Sequence, residues 1–394
     1  MTKRLRVGVV GVGAIATDEA HGHIPNYLRI PDVEVVALSD VNGRRARHVA
    51  DQFDISQVYT HYRDMLARAE LDAVSICTPS YLHAAIAIGC LEAGVHVLVE
   101  KPMAMASAAA YRMIAAAEAN EKHLFVGMNN RFRDDVRALK LMVANGALGR
   151  VYAAKAGWLR RTGGPEMDGW FTSKAQAGGG PLWDIGLVML DLALWMMDFP
   201  QPTTVAGVLF HNVLQGPTAS AGDALLSPEE RSPYPVEDAA TALIRFDDET
   251  ALSLEVSWAS MIGVTDDIFL RLDGTVGAAE LHNPNFRQKD SLRIHGELFG
   301  TRMELAPQIP ESDTPSHLRE LQHFVDVCLG REAPLVTPAQ ALLGVQIVEG
   351  IYRSAAEGRM LTLDELATEA DGSRTAPPTE ENQPAGQQEW EQVV

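Results

Sequence analysis

Short apolar runs alternate with helix-like stretches in the first third of the chain. Five runs have strand character and end in turn residues: Leu5–Val10, Val33–Leu38, Ala73–Cys77, Val95–Val99 and Leu124–Met128. Three stretches between them have helical character: Gly43–Phe53, Tyr81–Ala93 and Ser107–Ala119. Gly94 follows the second of these, at the position where a helix commonly ends in glycine. Buried strands that alternate with helices predict a parallel, doubly wound sheet.

The pattern changes in the rest of the chain. Strand-like segments there are often β-branched and alternate apolar with polar residues: Val151–Trp158, Thr204–Val213, Ala239–Phe246, Ala251–Trp258 and Ile268–Leu272. Helices are predicted over Asp134–Val143, Pro181–Met197 and Pro338–Glu357. Gln215–Glu237 is predicted to be a surface loop, because it is rich in Pro, Ser, Gly and Ala. Strands joined by short turns predict a largely antiparallel sheet with helices on one face.

The 394 residues suffice for two domains and a well-buried core. We predict an α/β domain over residues 1–124 and a second α/β domain over 125–366. Residues 367–394 are polar and rich in Pro, Gly and Gln, so we predict a flexible tail there.

Composition and charge exclude several classes of protein. With 46% hydrophobic and 22% charged residues, the chain is typical of globular proteins. A net charge of −19 argues against nucleic-acid or anionic-membrane partners, which need basic patches. No apolar run reaches the roughly twenty residues of a membrane span. Three scattered cysteines, Cys77, Cys90 and Cys328, predict neither a disulfide framework nor a metal site. We predict a cytoplasmic protein.

A glycine motif follows the first predicted strand. Gly11-Val12-Gly13-Ala14-Ile15-Ala16 fits G-x-G-x-x-G/A and opens a plausible helix. In such a turn Gly11 permits the tight bend, and Gly13 lets the backbone approach a pyrophosphate at the helix N-terminus. Gly11, Val12, Gly13, Ala14 and Ile15 are therefore predicted to bind a dinucleotide.

Asp40 ends the second predicted strand. A carboxylate there accepts hydrogen bonds from ribose hydroxyls and repels a 2′-phosphate, so the predicted cofactor is NAD. Arg44 and Arg45 follow closely and either weaken that preference or form a solvated helix face.

Two charged side chains are predicted to carry the chemistry. Lys101 lies in Glu100-Lys101-Pro102, at the end of the fourth strand, where ligands bind in such sheets. A partly desolvated lysine beside the positively charged nicotinamide should have a lowered pKa, which suits proton transfer. Asp184 shares one face of a very apolar helix with Val188 and Asp191. A buried carboxylate needs a partner, and Lys101 is the expected partner of Asp184.

Aromatic and basic residues precede that helix in a Gly-rich segment. They are Trp158, Arg160, Arg161 and Trp170. Aromatic faces stack on sugar C–H surfaces and arginines bind hydroxyls, so this segment is predicted to form one wall of a substrate pocket. The alternative is a surface loop with packing tryptophans.

Taken together, these motifs resemble the Gfo/Idh/MocA oxidoreductase family over nearly all of residues 5–364. The resemblance rests on Gly11–Ala16, Thr78-Pro79-Ser80 with His83, Leu91–Pro102, Asn130-Arg131-Phe132, Gly178–Asp191 and Ile351–Ala355. It implies a Rossmann domain and a second domain whose open sheet joins subunits into homodimers or homotetramers. It also implies Lys101 as the catalytic lysine and Asp184 at the substrate, a cis bond before Pro102, and further cofactor contacts. Those contacts are Thr78, Pro79, Ser80, His83, Glu100 and Lys101.

The chain departs from the family pattern at one position. Asp-x-Gly-x-His-x-x-Asp is usual, its histidine commonly transfers the proton, and Val188 stands in its place. Either Lys101, polarised by Asp184, works alone, or a tyrosine or histidine substitutes, or turnover is lost. Lys101, Arg160, Trp170, Asp184 and Val188 are the predicted substrate contacts.

The predicted function is therefore an NAD-dependent dehydrogenase of a sugar, glycoside or polyol CH–OH group. The alternatives are an NAD-assisted lyase or glycosidase without net redox change, and a non-catalytic sensor that binds NAD and a ligand.

Overall fold

The computed structural model describes residues 4–161, 169–211, 236–310, 314–362 and 365. The described residues pack into two compact units. The first contains the described residues up to Asn129 together with Thr314–Leu342, and the second contains the described residues between Asn130 and Pro310 and those from Leu343 to Glu365.

The first unit is built on a six-stranded parallel sheet. Its strands are β1 (Leu5–Val10), β2 (Val33–Ser39), β3 (Gln57–Tyr59), β4 (Ala73–Ile76), β5 (His96–Val99) and β6 (Leu124–Val126). Its helices up to Asn129 are α1 (Ala14–Thr17), α2 (His23–Tyr27), α3 (Gly43–Phe53), α4 (Tyr62–Arg68), α5 (His83–Glu92) and α6 (Ser107–Ala119). The strand order is β3-β2-β1-β4-β5-β6, which is that of a Rossmann fold. The prediction of a doubly wound parallel sheet is confirmed, and Gly94 ends α5 with φ +80° as expected.

The order of the sheet determines where its ligand lies. Successive strands run outward from β1 to β3 and then from β4 to β6, so the direction of winding reverses between β1 and β4. In open α/β sheets ligands bind beside the carboxyl ends of the strands at this reversal. Gly11 directly follows β1, and Cys77 and Thr78 directly follow β4.

The second unit contains a large sheet and its covering helices. The elements from 130 to 310 are α7 (Asp134–Ala144), β7 (Val151–Arg160), α8 (Lys174–Ala177), α9 (Leu187–Met196), β8 (Pro202–Phe210), β9 (Ala239–Phe246), β10 (Ala251–Ser257), β11 (Asp266–Gly274), β12 (Gly277–His282), β13 (Leu292–Leu298) and β14 (Thr301–Leu305). The remaining elements of the described chain are α10 (Ser316–Cys328), α11 (Pro338–Glu357) and β15 (Leu361–Thr362). Among the described residues the strand order is β14-β13-β12-β11-β7-β10-β9-β8-β15. Only β7 and β10 pair in parallel there, so the predicted, mostly antiparallel open sheet is confirmed.

Helix α10 packs in the first unit, although the predicted second domain runs without interruption from 125 to 366. Phe324 of α10 lies against Phe125 of β6, with ring centroids 5.9 Å apart. Arg331 donates a hydrogen bond of 2.6 Å to Asp32. Local periodicity carries no sign of such a return to an earlier unit. Compact packing does not test independent folding, so the domain limits stay a prediction, and the tail at 367–394 lies outside the described residues.

One apolar helical stretch forms much of the interior of the second unit. A π-helical turn over Leu182–Gly186 leads directly into α9, every residue of which is buried. Within the described residues, Lys174–Met196 is the single helical stretch whose length and composition would allow a membrane span, and 89% of its most apolar window is buried. Such burial is typical of a core helix.

Candidate functional site

The glycine turn after β1 is closed on one side and open on the other. Gly11 has φ +83°, and a Cβ there would lie 2.8 Å from the backbone carbonyl of Cys77. A Cβ at Gly13 would meet no heavy atom within 4 Å. Ala16 of α1 is fully buried, so α1 packs closely on the sheet. The turn therefore needs glycine at 11 for its own fold, and the backbone at 13 is accessible to a ligand.

Asp40 lies at the carboxyl end of β2 and is tied to this turn. Its buried carboxylate accepts a hydrogen bond from the Val12 amide (3.0 Å) and one from the Asn42 amide (2.9 Å). Arg45 of α3 donates to both oxygens, at 2.8 and 2.9 Å. The sequence predicted that Asp40 and the glycine turn lie at one sheet edge. It did not indicate that Arg45 forms hydrogen bonds with the Asp40 carboxylate.

Thr78 lies beside the same turn. Gly11, Asp40, Val41, Thr60 and Thr78 all line one small cavity. The hydroxyl of Thr78 is buried and makes no hydrogen bond within the described residues. A buried hydroxyl without a partner is costly, so a polar ligand atom in this cavity would satisfy it.

His83, predicted to contact the cofactor, joins two backbone segments. Its Nδ1 lies 2.7 Å from the carbonyl oxygen of Pro102, and its Nε2 lies 2.9 Å from that of Thr78. Burial lowers the pKa of this imidazole. His83 thus holds the loop that contains Thr78 to the loop that contains Lys101. Pro79 precedes a short 3₁₀ turn that begins at Ser80, which is buried.

Lys101 follows β5 at the same sheet edge, and its peptide bond to Pro102 is cis. The Lys101 amide donates to Glu100 Oε2 at 3.2 Å. Glu100 Oε1 lies 3.0 Å from Nε2 of His23, which is 1% exposed. His23 Nδ1 in turn lies 2.9 Å from Ser75 Oγ of β4. The segment that carries Lys101 is therefore anchored to α2 and β4 through a buried pair.

The Glu100–His23 pair is charged at neutral pH. Burial by itself lowers the pKa of His23, but Cys77 and Glu100 raise it well above the ordinary value of 6.5. Burial by itself raises the pKa of Glu100, and the His23 imidazolium lowers it to a net value below 4.5. An imidazolium and a carboxylate thus face each other directly beside Lys101.

In the second unit, Glu237 holds the triple glycine that precedes Asp184. Glu237 Oε1 accepts hydrogen bonds from the Gly180 amide (2.9 Å), the Leu182 amide (3.2 Å) and the Tyr352 hydroxyl (2.5 Å). A Cβ at Gly179 would overlap the Tyr352 hydroxyl, and a Cβ at Gly180 would overlap the Glu237 carbonyl. Burial raises the pKa of Glu237. The prediction that Glu237 belongs to a surface loop was wrong, because its side chain caps a buried turn and is 1% exposed. The rest of that predicted loop, up to residue 235, lies outside the described residues.

Asp184 lies in the π-helical turn over Leu182–Gly186. Such turns are rare and frequently occur at functional sites. The buried indole of Trp258, at the end of β10, donates to Asp184 Oδ2 at 3.1 Å. Val188 lies one turn further on and is buried at 8% exposure. The predicted pairing of Asp184 with Lys101 would join the two units and stays a prediction.

Asp191, the second carboxylate of this helix, has a structural partner. Arg131 is fully buried and donates to both its oxygens, at 2.8 and 2.5 Å. The guanidinium lies 5.6 Å from the ring of Trp195 and 5.0 Å from that of Phe199. Asp191 therefore anchors α9 in its core.

Arg160 and Trp170 occupy separate clusters in the second unit. Arg160 Nε and Trp158 Nε1 both donate to Asp266, at 3.0 and 2.8 Å, and the guanidinium lies 5.4 Å from the Trp158 ring. Trp170 packs on Phe171 with ring centroids 4.2 Å apart. Their role as a pocket wall stays a prediction, and residues 162–168 between them lie outside the described chain.

Metal-ligating side chains do not cluster in the described ranges of the chain. No group of three or more His, Cys, Asp or Glu residues there is arranged to hold a metal ion.

Comparison with known proteins identifies the family. Residues 5–128 match the oxidoreductase family with an NAD-binding Rossmann fold, GFO_IDH_MocA, and residues 136–280 match the GFO/IDH/MocA C-terminal domain. A D-glucoside 3-dehydrogenase of Escherichia coli K12 is 32% identical over 91% of this chain and 97% of its own. The chain belongs to the Gfo/Idh/MocA family.

Two further similar proteins agree with this assignment. A putative UDP-kanosamine synthase oxidoreductase subunit of Amycolatopsis mediterranei S699 is 29% identical over 90% of this chain and 97% of its own. The crystal structure of GenD2 from gentamicin A biosynthesis, in complex with NAD, superposes with a TM-score of 0.73. It is 27% identical and covers 92% of this chain and 97% of its own. The predicted family and the NAD cofactor are confirmed, and the chain is an NAD-dependent oxidoreductase.

Sequence reasoning missed several residues of this Gfo/Idh/MocA protein that support the predicted site. They are Trp258, Asp266, Glu237 and Tyr352. Tyr352 belongs to the motif Ile351–Ala355 that carried the family resemblance, but nothing in its spacing indicated a partner. The others lie far along the chain from the groups they contact, so no local pattern could have assigned them.

Proposed function

We propose that this enzyme exchanges a hydride between NAD and a CH–OH group of a sugar, glycoside or polyol, with Lys101 as the acid–base. The observation that carries the proposal is the position of Lys101. It lies two residues after the end of β5, at the sheet edge that also holds the glycine turn after β1 and Thr78 after β4. Ligands of open α/β sheets bind at this edge.

The residues of the first unit fit NAD. The open backbone at Gly13 suits a pyrophosphate, and the carboxylate of Asp40 suits ribose hydroxyls. The Thr78 hydroxyl, which has no hydrogen-bond partner among the described residues, lies in the same cavity as Asp40. When bound, nicotinamide supplies the hydride acceptor or donor. The protein contributes binding, orientation and the proton.

Lys101 is proposed to exchange the proton of the reacting hydroxyl without a histidine. Val188 occupies the position of the usual histidine and has no titratable group. The buried Glu100–His23 pair is proposed to orient the Lys101 segment, because Glu100 contacts His23 and also accepts a hydrogen bond from the Lys101 amide.

Asp184 and Arg160 are proposed to bind neighbouring hydroxyls of the substrate. Each is held by an indole or carboxylate of its own unit: Asp184 by Trp258, and Arg160 by Asp266. Fixed polar side chains of this kind give orientation to a hydroxylated ligand. The relative named D-glucoside 3-dehydrogenase favours a glycoside among the possible substrates.

The test is a panel of glycosides, free sugars and polyols incubated with NAD⁺, with NADH followed by absorbance and products followed by mass spectrometry. Net NADH with at least one member supports the proposal. Product without net NADH supports elimination or glycoside cleavage with an internally regenerated cofactor. Saturable ligand binding without product supports a sensor.

The role of Lys101 is tested by Lys101→Ala. Removal of the acid–base should lower kcat by roughly 10²–10⁴-fold while the NADH dissociation constant changes by only a few-fold. Lys122→Ala, which removes a lysine elsewhere in the same unit, serves as the control. Turnover by Lys101→Ala at the wild-type rate would contradict the assignment.

The second unit is proposed to join copies of this chain into a homodimer or homotetramer. On the open face of its sheet, Val208 and Phe210 of β8 and Leu243 of β9 are 43–55% exposed. Exposed apolar groups on one face mark an interaction surface. Light scattering of the wild type and of Leu243→Glu would test this, since the charge should shift the chain toward monomer. A wild-type monomer would contradict it.

The cytoplasmic location stays a prediction.

A further inference from the structure

The carboxylate expected to exclude NADP is paired with an arginine. Arg45 donates from one nitrogen, Nη2, to both oxygens of Asp40, at 2.8 and 2.9 Å. The Asp40 side chain is 2% exposed and the Arg45 side chain is 47% exposed. The arginine thus lies on the outer, solvent side of the carboxylate.

The surrounding contacts fix both members of this pair. The Val12 and Asn42 amides hold the Asp40 carboxylate in place from the protein side. The Asn42 side chain accepts a hydrogen bond from the Arg45 amide at 3.1 Å, which fixes the start of α3. Arg45 can therefore change its partner while Asp40 keeps its position and its two backbone donors.

The pair changes the electrostatics of the subsite that binds the adenosine ribose. An isolated carboxylate repels a 2′-phosphate, whereas a carboxylate with a guanidinium on its outer side has no net charge. A guanidinium has five N–H donors in a planar fork that suits phosphate oxygens. Both observed bonds use a single nitrogen, so the geometry permits Arg45 to bind a second acceptor.

We propose that Arg45 determines cofactor specificity and allows this enzyme to bind NADP(H) as well as NAD(H). With NAD(H), the ribose hydroxyls donate to Asp40. With NADP(H), Arg45 binds the 2′-phosphate and neutralises it beside Asp40. The proposal rests on the cofactor half of the proposed function and not on the role of Lys101.

Fluorescence titration of the full chain with NADH and with NADPH tests this without a substrate. For the wild type, we expect NADPH to bind no more than about tenfold more weakly than NADH. Arg45→Ala should weaken NADPH by a further tenfold or more, while NADH changes by roughly threefold or less. Arg45→Lys keeps the charge and should retain part of the NADPH affinity.

Arg44→Ala is the matched control. Arg44 is the exposed neighbour of Arg45 on α3, and within the described residues no hydrogen bond or ion pair joins it to Asp40. Its removal should leave the ratio of the two dissociation constants unchanged, which separates a specific contact from the general charge of the helix.

Three outcomes would overturn the inference. One is a wild-type ratio well above tenfold, and another is an Arg45→Ala variant that keeps the wild-type ratio. The third is equal loss of both dinucleotides in Arg45→Ala, which would assign Arg45 a purely structural role. Failure of the wild type to bind either dinucleotide would refute the cofactor site itself, whereas an inactive Lys101→Ala variant leaves both titrations intact.

Discussion

The two units differ in what brings the parts of their candidate sites together. In the first, Gly11, Asp40, Thr78 and Lys101 follow four strands of one parallel sheet, so the topology alone brings them to one edge. In the second, Asp184 contacts Trp258, 74 positions away, and the turn before it contacts Glu237, 57 positions from Gly180. A parallel sheet collects residues by rule, whereas the second site depends on particular tertiary contacts.

The largest effect is expected from a substitution in the glycine turn of the proposed cofactor site. In Gly11→Ala the new Cβ would meet the Cys77 carbonyl and the backbone would keep a positive φ, which costs about 1–3 kcal/mol before the steric overlap is counted. We expect NADH binding to fall by more than about 100-fold and the melting temperature to drop clearly.

Gly13→Ala gives the contrasting result, because a Cβ there meets nothing within 4 Å. It should leave the melting temperature nearly unchanged and weaken NADH binding by about tenfold, since only the approach of the pyrophosphate is obstructed. Calorimetry with NADH titration measures both variants. Normal NADH affinity in Gly11→Ala would contradict the assigned geometry of the turn.

This contrast explains how much could be predicted. The strands, the glycine turn, Asp40 and Lys101 follow from hydrophobic periodicity and the turn residues that follow each strand, which are local properties of the sequence. Two contacts could not be predicted in this way. The ion pair between Arg45 and Asp40 depends on the rotamer that the arginine adopts, and the hydrogen bond from Gly180 to Glu237 depends on the packing of a distant segment. The first unit also contains α10, which comes after residue 313 in the chain, and no local pattern in the sequence indicates that this helix packs there.

The next effect concerns the buried His23–Glu100 pair and depends on pH. The pKa of His23 is raised on folding, so its contribution to stability is complete below about pH 6.5 and is lost as pH rises through the folded value. The pKa of Glu100 is lowered, so its contribution is complete above about pH 4.5 and is lost as pH falls through the folded value. The pair therefore stabilises the fold most between these limits.

His23→Gln removes the titration but keeps an amide donor for Glu100. The difference in stability between wild type and variant should be largest near pH 5–6, about 1–3 kcal/mol, and should shrink toward both acid and strongly alkaline pH. Denaturant unfolding from pH 4 to 10 measures this. His21→Gln, an exposed histidine of the same segment, is the control and should show a small difference throughout. A difference independent of pH would show that His23 is uncharged in the fold.

A smaller effect is expected from removal of the hydrogen bond between Trp258 and Asp184 in the proposed substrate site. Trp258→Phe removes the N–H donor to Asp184 and keeps a large aromatic ring in a buried position. A hydrogen bond to a charged group contributes about 1.5–3 kcal/mol, so kcat/KM should fall by roughly 10–100-fold. NADH affinity should stay the same, because the contact lies wholly in the second unit.

Trp195→Phe is the matched control for that variant. Trp195 is also a tryptophan of the second unit, but its ring lies near Arg131, and Phe keeps an aromatic face for this cation. Steady-state kinetics of the two variants with one substrate from the panel separates the contact with Asp184 from general loss of packing. Equal kcat/KM in both would remove Trp258 from the site.

The smallest effect is expected from restoring the residue that the family pattern has at position 188. Val188 is buried one helical turn beyond Asp184, and a histidine there would place an imidazole on the face that carries Asp184. If Lys101 already exchanges the proton alone, Val188→His should change kcat by less than about tenfold and add a pH dependence near pH 6.5. Val188→Leu, which adds volume without a titratable group, should lack that dependence. A rise in kcat of about 100-fold in Val188→His would contradict this and show that Lys101 needs a second proton-transferring side chain. The wild-type enzyme would then turn over its substrate slowly because it lacks that side chain.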